Sequence, residues 1–98
     1  MPEIRVRPHM TEHDVARKVA VARRCLERGD PVVLTVVFDY ANAASATREE
    51  AEGVLRRVSD PLLDVAEVTE ATEFRVQRMS LTLAPISIAS ISLVEDNP

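Results

Sequence analysis

At 98 residues, with a formal net charge of −4, 46% apolar residues and one cysteine, the chain has the make-up of one small folded domain and not of a disordered or fibrous protein. No apolar run approaches the ~20 residues of a membrane span. No signal pattern opens the chain, and the lone Cys25 cannot close an internal disulfide, so a cytoplasmic location is expected. The net charge argues against a uniformly basic nucleic-acid binder, yet residues 1–29 carry seven basic and four acidic side chains while residues 30–74 carry three and ten.

Glu3-Ile4-Arg5-Val6-Arg7 alternates with the period of a strand, Ile4 and Val6 to the core and Arg5 and Arg7 away from it, until Pro8 stops it. Thr11 caps a helix expected over about residues 12–28, and Asp14 complements its first turn. Val15, Val19, Ala22 and Leu26 form the buried stripe, and Cys25 beside it reads as a small buried hydrophobe. Arg17, Lys18, Arg24 and Arg28 fall on the flanks, and Gly29 supplies the stop.

Val32 to Phe38 is the most apolar β-prone stretch and is expected as the central strand. Val32, Leu34, Val36 and Phe38 share one face, and Val33, Thr35 and Val37 the other. Asp39-Tyr40-Ala41-Asn42 then opens a loop. Thr47-Arg48-Glu49-Glu50 reads as a reciprocal capping box before a second helix with Ala51, Val54, Leu55 and Val58 inward. Gly53 inside that helix costs about 1 kcal/mol against Ala. Asp60-Pro61 ends it.

Leu63 to Thr69 and Arg75 to Leu83 read as two strands joined as a hairpin near Thr72-Glu73, without a tight-turn glycine. The fold expected is an α+β two-layer sandwich of order β-α-β-α-β-β, a mixed four-stranded sheet with both helices on one face. Residues 1–85 make the domain. Residues 86–98 are an extension, whose uncharged Ile/Ser run up to Val94 is expected as an extra strand or an interface.

Little points to catalysis. His9 and His13 are four apart with Glu12 and Asp14 nearby, but Pro8 and the helix start put His9 outside the helix, so a surface or cap role outweighs a metal site. There is no phosphate-binding glycine loop, nucleophile elbow or zincin motif. The reading is of a non-enzyme without cofactor or metal. Arg5, Arg7, Lys18, Arg23, Arg24 and Arg28 fit either a solvated face or a phosphate-contacting surface, and composition alone favours the solvated face.

Several stretches in order resemble the C-terminal domain of bacterial translation initiation factor three. They are Glu3-Ile4-Arg5-Val6-Arg7-Pro8, Glu12-His13-Asp14 with Lys18, Leu26-Glu27-Arg28-Gly29-Asp30, Val32 to Phe38, and Arg78-Met79 through Leu83-Ala84-Pro85. The resemblance implies a cytoplasmic domain that binds RNA of the small ribosomal subunit near the initiator-tRNA site, with no enzymatic activity. Residue by residue it carries over Lys18, Arg28 and Arg78 as basic positions. The departures are equally specific. Where the family typically places Arg-Gly-Arg-Glu after its central strand, this chain has Asp39-Tyr40-Ala41-Asn42. Pro31 and Val33 replace customary lysines, and Val37 a customary arginine. Losing two charge-assisted contacts of this kind costs about 3–6 kcal/mol of binding.

Two functions follow. One is a small-subunit RNA-binding domain of initiation-factor type, with Arg5, Arg7, Lys18, Arg24, Arg28 and Arg78 as candidate contacts. The other is a diverged protein-interaction module that kept the fold and lost RNA binding. Its protein partner or second copy would meet the open sheet face, where Val33 and Val37 would join an apolar patch, or residues 86–94.

Overall fold

The computed structural model describes residues 1–38 and 46–86. Two helices pack on one face of a four-stranded mixed sheet, the expected sandwich. β1 (Glu3–Val6) runs parallel to β2 (Val32–Val37), with Ile4 opposite Leu34 and Val6 opposite Val36. A parallel pair needs a crossover, and α1 (Glu12–Glu27) supplies it. β4 (Arg78–Pro85) runs antiparallel to β2 on one side and to β3 (Ala66–Ala71) on the other, giving the order β1-β2-β4-β3. α2 (Arg48–Ser59) joins the β2 side of the chain to β3.

The core forms where the helix stripes meet the inward face of the sheet. Leu34, Leu55, Leu62, Met79 and Leu83 are fully buried there, and burying such a side chain contributes roughly 1.5–3 kcal/mol. Val15, Ala22, Cys25 and Leu26 of α1 and Ala51, Leu55 and Val58 of α2 are buried, with Val19 and Val54 packed partly against them.

The helix ends depart from expectation in one respect. The reciprocal capping box is on α1: Asp14 N donates to Thr11 Oγ1 at 3.1 Å, and Thr11 N donates to Asp14 Oδ2 at 3.4 Å. α2 has a one-way cap, in which Glu50 N donates to Thr47 Oγ1 at 3.2 Å. The shorter Asp14 reaches back where Glu50 does not. At the other end of α1, Gly29 takes φ +91°, Gly29 N bonds Leu26 O, and Asp30 N bonds Cys25 O. This is the paired closure that a left-handed glycine permits.

The last two strands begin about three residues later than expected. Asp60–Leu62 forms a 3-10 turn that buries Leu62, so Leu63 and Asp64 are turn residues and pairing starts at Ala66 opposite Pro85. The hairpin tip lies at Arg75-Val76-Gln77-Arg78 and not at Thr72-Glu73. Arg75 and Arg78 exchange two backbone hydrogen bonds of 3.0 Å, and Val76 and Gln77 take φ +52° and +54°. Asn-Gly is the usual occupant of such a turn, and each non-glycine residue in the left-handed region costs roughly 1–2 kcal/mol.

The open face of the sheet is polar at its centre. Thr35 is only 2% exposed; its hydroxyl donates to Glu3 Oε2 at 3.1 Å and lies 2.9 Å from Ser80 Oγ. With its one hydrogen given to Glu3, Thr35 accepts from Ser80. Val33 and Val37 do lie on this face, but both are half-buried. Val33 sits between Glu3 and Thr82, and Val37 beside Arg78. The apolar patch expected there is broken up by these longer and polar neighbours. Asp39, Tyr40, Ala41 and Asn42, and the extension beyond Ile86, lie outside the described residues.

Candidate nucleic-acid interface

The strand period puts Arg5 on the open face, and the chain leaves β1 with Arg7 exposed just before Pro8. α1 starts beside this exit and runs back along the sheet, so Lys18 reaches the end of β1. Arg5, Arg7 and Lys18 together line a groove of about 590 Å³ whose remaining walls are Val6, Pro8, His9 and Val37. A second groove of about 300 Å³ shares Arg7 and Lys18 and adds Met10, Asp14, Arg17 and Val21. The Arg7–Lys18 pair is thus the ridge between two concavities.

Asp14 is the acid of the second groove. Its hydrogen bonds to Thr11, through the side chain first and the backbone N–H second, hold its carboxyl below the usual carboxylate range, and the charges of Arg7 and His13 act in the same direction. It therefore stays ionised and offsets part of the positive charge there. The larger groove has no acid among its described lining residues.

The other candidate cations divide by their partners. Arg23 is committed to the fold. It forks onto Asp64 at 3.0 and 3.3 Å and donates to Pro61 O at 2.9 Å. The hydrogen bond and charge of Arg23 pull the Asp64 carboxyl below its usual range. Arg28 is partly engaged, its Nε 3.7 Å from Asp30 and its terminal nitrogen donating to Cys25 Sγ at 3.7 Å. It lies ten residues beyond Lys18, about 15 Å further along the helix axis, and is not part of the same cluster. Arg24 is exposed on the intervening turn. Among the described residues Arg5, Arg7, Arg17, Lys18, Arg24 and Arg78 take part in no ion pair.

Arg78 stands opposite Val37 at the same end of the sheet as Arg7. Val37 therefore forms a low apolar saddle, with Arg5, Arg7 and Lys18 on one side and Arg78 on the other. Two members of this surface escaped the sequence reading. Arg17 looked like an ordinary flank residue, and Arg75 pairs directly with Arg78 across the hairpin tip. The one clue to Arg75 was the missing turn glycine, which left the tip unplaced. Among the described residues no group of three or more His, Cys, Asp or Glu side chains is arranged to hold a metal ion.

The sequence model of the family described as translation initiation factor IF-3, C-terminal domain, matches residues 1–86. The chain belongs to this family. Its similarity to curated IF-3 proteins is even across organisms. Translation initiation factor IF-3 of Brucella melitensis is 31% identical over 83 residues, covering 85% of this chain and 46% of that protein. IF-3 of Anaeromyxobacter dehalogenans is 32% identical over 85 residues, covering 87% and 36%, and IF-3 of Thermus thermophilus is 31% identical over 87 residues, covering 89% and 50%. The chain spans half the length or less of these relatives. As an IF-3 C-terminal domain it has its β-α-β-α-β-β order accounted for, and its basic groove sits where β1, α1 and β2 converge.

Proposed function

We propose that this translation initiation factor-like domain binds RNA of the small ribosomal subunit through the end of the sheet where Arg5, Arg7, Lys18 and Arg78 surround Val37. The observation that carries the reading is that these cations are unpaired among the described residues, that Arg5, Arg7 and Lys18 line a groove with no acid among its described lining residues, and that Arg78 stands opposite its wall residue Val37. Arginine and lysine side chains so placed neutralise phosphates and release counterions, the main term in RNA affinity. Arg24 extends the surface along α1, while Arg28 at the far end adds little. The function is binding and not catalysis, and it belongs in the cytoplasm with the ribosome. Among the described residues no helix is long and apolar enough to cross a membrane.

The protein-interaction alternative gains nothing from the sheet face, because Val33 and Val37 are half-buried among polar neighbours. Co-sedimentation with purified small subunits separates the two. The RNA reading expects pelleting at ~50 mM salt that is lost steeply toward ~200 mM. Absence of pelleting at the lower salt rules it out.

A further inference from the structure

An exposed valine by itself needs no explanation. Val76 is different, because three features of its hairpin work against stability. It holds φ at +52°, where a β-branched residue is disfavoured. It is 87% exposed, so no packing offsets the strain. Below it Arg75 and Arg78 face each other across the turn, a like-charge pairing that repels, and neither joins an ion pair among the described residues.

The tip is nonetheless held firmly. Phe38 N donates to Gln77 O at 2.9 Å, and the Phe74 ring meets the Phe38 ring edge-on with centroids 5.9 Å apart. Thr72 N donates to Ser80 O at 2.9 Å, and Ser80 N to Thr72 Oγ1 at 2.8 Å. Strain that the surroundings maintain in this way points to use outside the domain.

The chemistry of the tip names the user. Two neighbouring guanidinium groups on one face call for an anion between them, and an apolar apex calls for a dry surface. Among the described residues the shallow groove at the hairpin base is lined by Arg75 and Arg78 against the single acid Glu73, so its balance there is positive. Arg78 also adjoins Val37, so the hairpin continues the basic groove. RNA offers both elements side by side, phosphates outside and stacked bases within. A protein pocket would satisfy the valine but leave the paired arginines unexplained.

We propose that Val76 is an apolar wedge that enters between bases of the RNA held by the basic groove, while Arg75 and Arg78 take the flanking phosphates. The inference rests on the RNA reading above. Two measurements on the full chain test it. In the first, Val76 is replaced by photoleucine and the domain is irradiated on small ribosomal subunits. Adducts on ribosomal RNA are expected. Adducts only on a ribosomal protein, or none from a domain that has pelleted, overturn the wedge. A wild-type domain that does not pellet overturns the RNA reading and the wedge with it.

The second measurement uses Val76→Asn, since asparagine tolerates the left-handed region. Its thermal midpoint should rise while its affinity for small subunits falls about tenfold. The slope of log affinity against log salt should stay unchanged, because valine neutralises no phosphate. Unchanged affinity would sink the wedge and leave the groove's role intact.

Discussion

β1 and β3 are the two edge strands of the sheet described here, and they protect their open sides with opposite charges. Arg5 in β1 and Arg7 just beyond it make one edge positive, whereas Glu67 and Glu70 of β3 make the other negative. Either sign discourages addition of a foreign strand, so edge protection alone does not explain the asymmetry. Position does. The positive edge joins a groove and an unpaired stretch of α1, while the negative edge stands apart from it across β2 and β4. A net charge of −4 averages over the two and describes neither.

Reversing both ridge charges, Arg7→Glu with Lys18→Glu, is the strongest challenge to this contrast. Affinity for small subunits should fall by about two powers of ten or more, as expected for losing two charge-assisted contacts and adding repulsion. A titration at fixed low salt reads the loss. The matched change at the other edge, Glu67→Lys with Glu70→Lys, shifts net charge by the same amount in the opposite sense. If position matters more than total charge, it should move the affinity by less than about threefold, the general long-range field being screened beyond ~8–10 Å. A gain approaching the size of the first loss would show that net charge governs and dissolve the distinction between the edges.

Gly53→Ala sharpens the comparison through stability. An added Cβ would meet nothing within 4 Å, so the substitution should stabilise the domain by about 1 kcal/mol. Denaturant titration measures the gain, and binding should not change, because Gly53 lines neither of the two basic grooves. The smallest effect concerns acid. Asp64 is held below its usual range by Arg23, so its contribution to stability is complete above the unfolded carboxylate value near 4 and fades as pH falls through the lower folded value. Both partners are solvent-accessible, which keeps the effect modest. Melting curves of wild type and Asp64→Asn should diverge at neutral pH and converge in strong acid.

What could be read from the sequence follows the range of the interaction involved. α1 was legible because its cap, stripe and stop are all local, and Thr11, Val15, Ala22, Leu26 and Gly29 act within a few residues of one another. β2 was legible for the same reason. The start of β3 was not, because Leu62 and Leu63 look alike in sequence while the turn at Pro61 buries one and exposes the other. The hairpin tip was hidden because Val76-Gln77 carries none of the residues that usually mark its turn. Within the site, strand alternation revealed Arg5 and Arg7. That Arg23 is occupied depends on Asp64, forty-one residues away, and no local pattern announces such a pair. The contribution of Arg75 likewise became visible only with the hairpin register.

Cys25 is the chain's single cysteine and lies buried on the core side of α1, capped by the Arg28 N–H at 3.7 Å. A thiol-specific reagent can reach it only when that helix lifts, so its labelling rate is a clock for opening of α1. The outer flank of the same helix carries Arg17 and Lys18. A ligand seated there that favours the closed helix must slow the clock by a factor set by its concentration relative to Kd. One native thiol therefore makes the domain its own occupancy gauge, with no dye or tag near the surface under test.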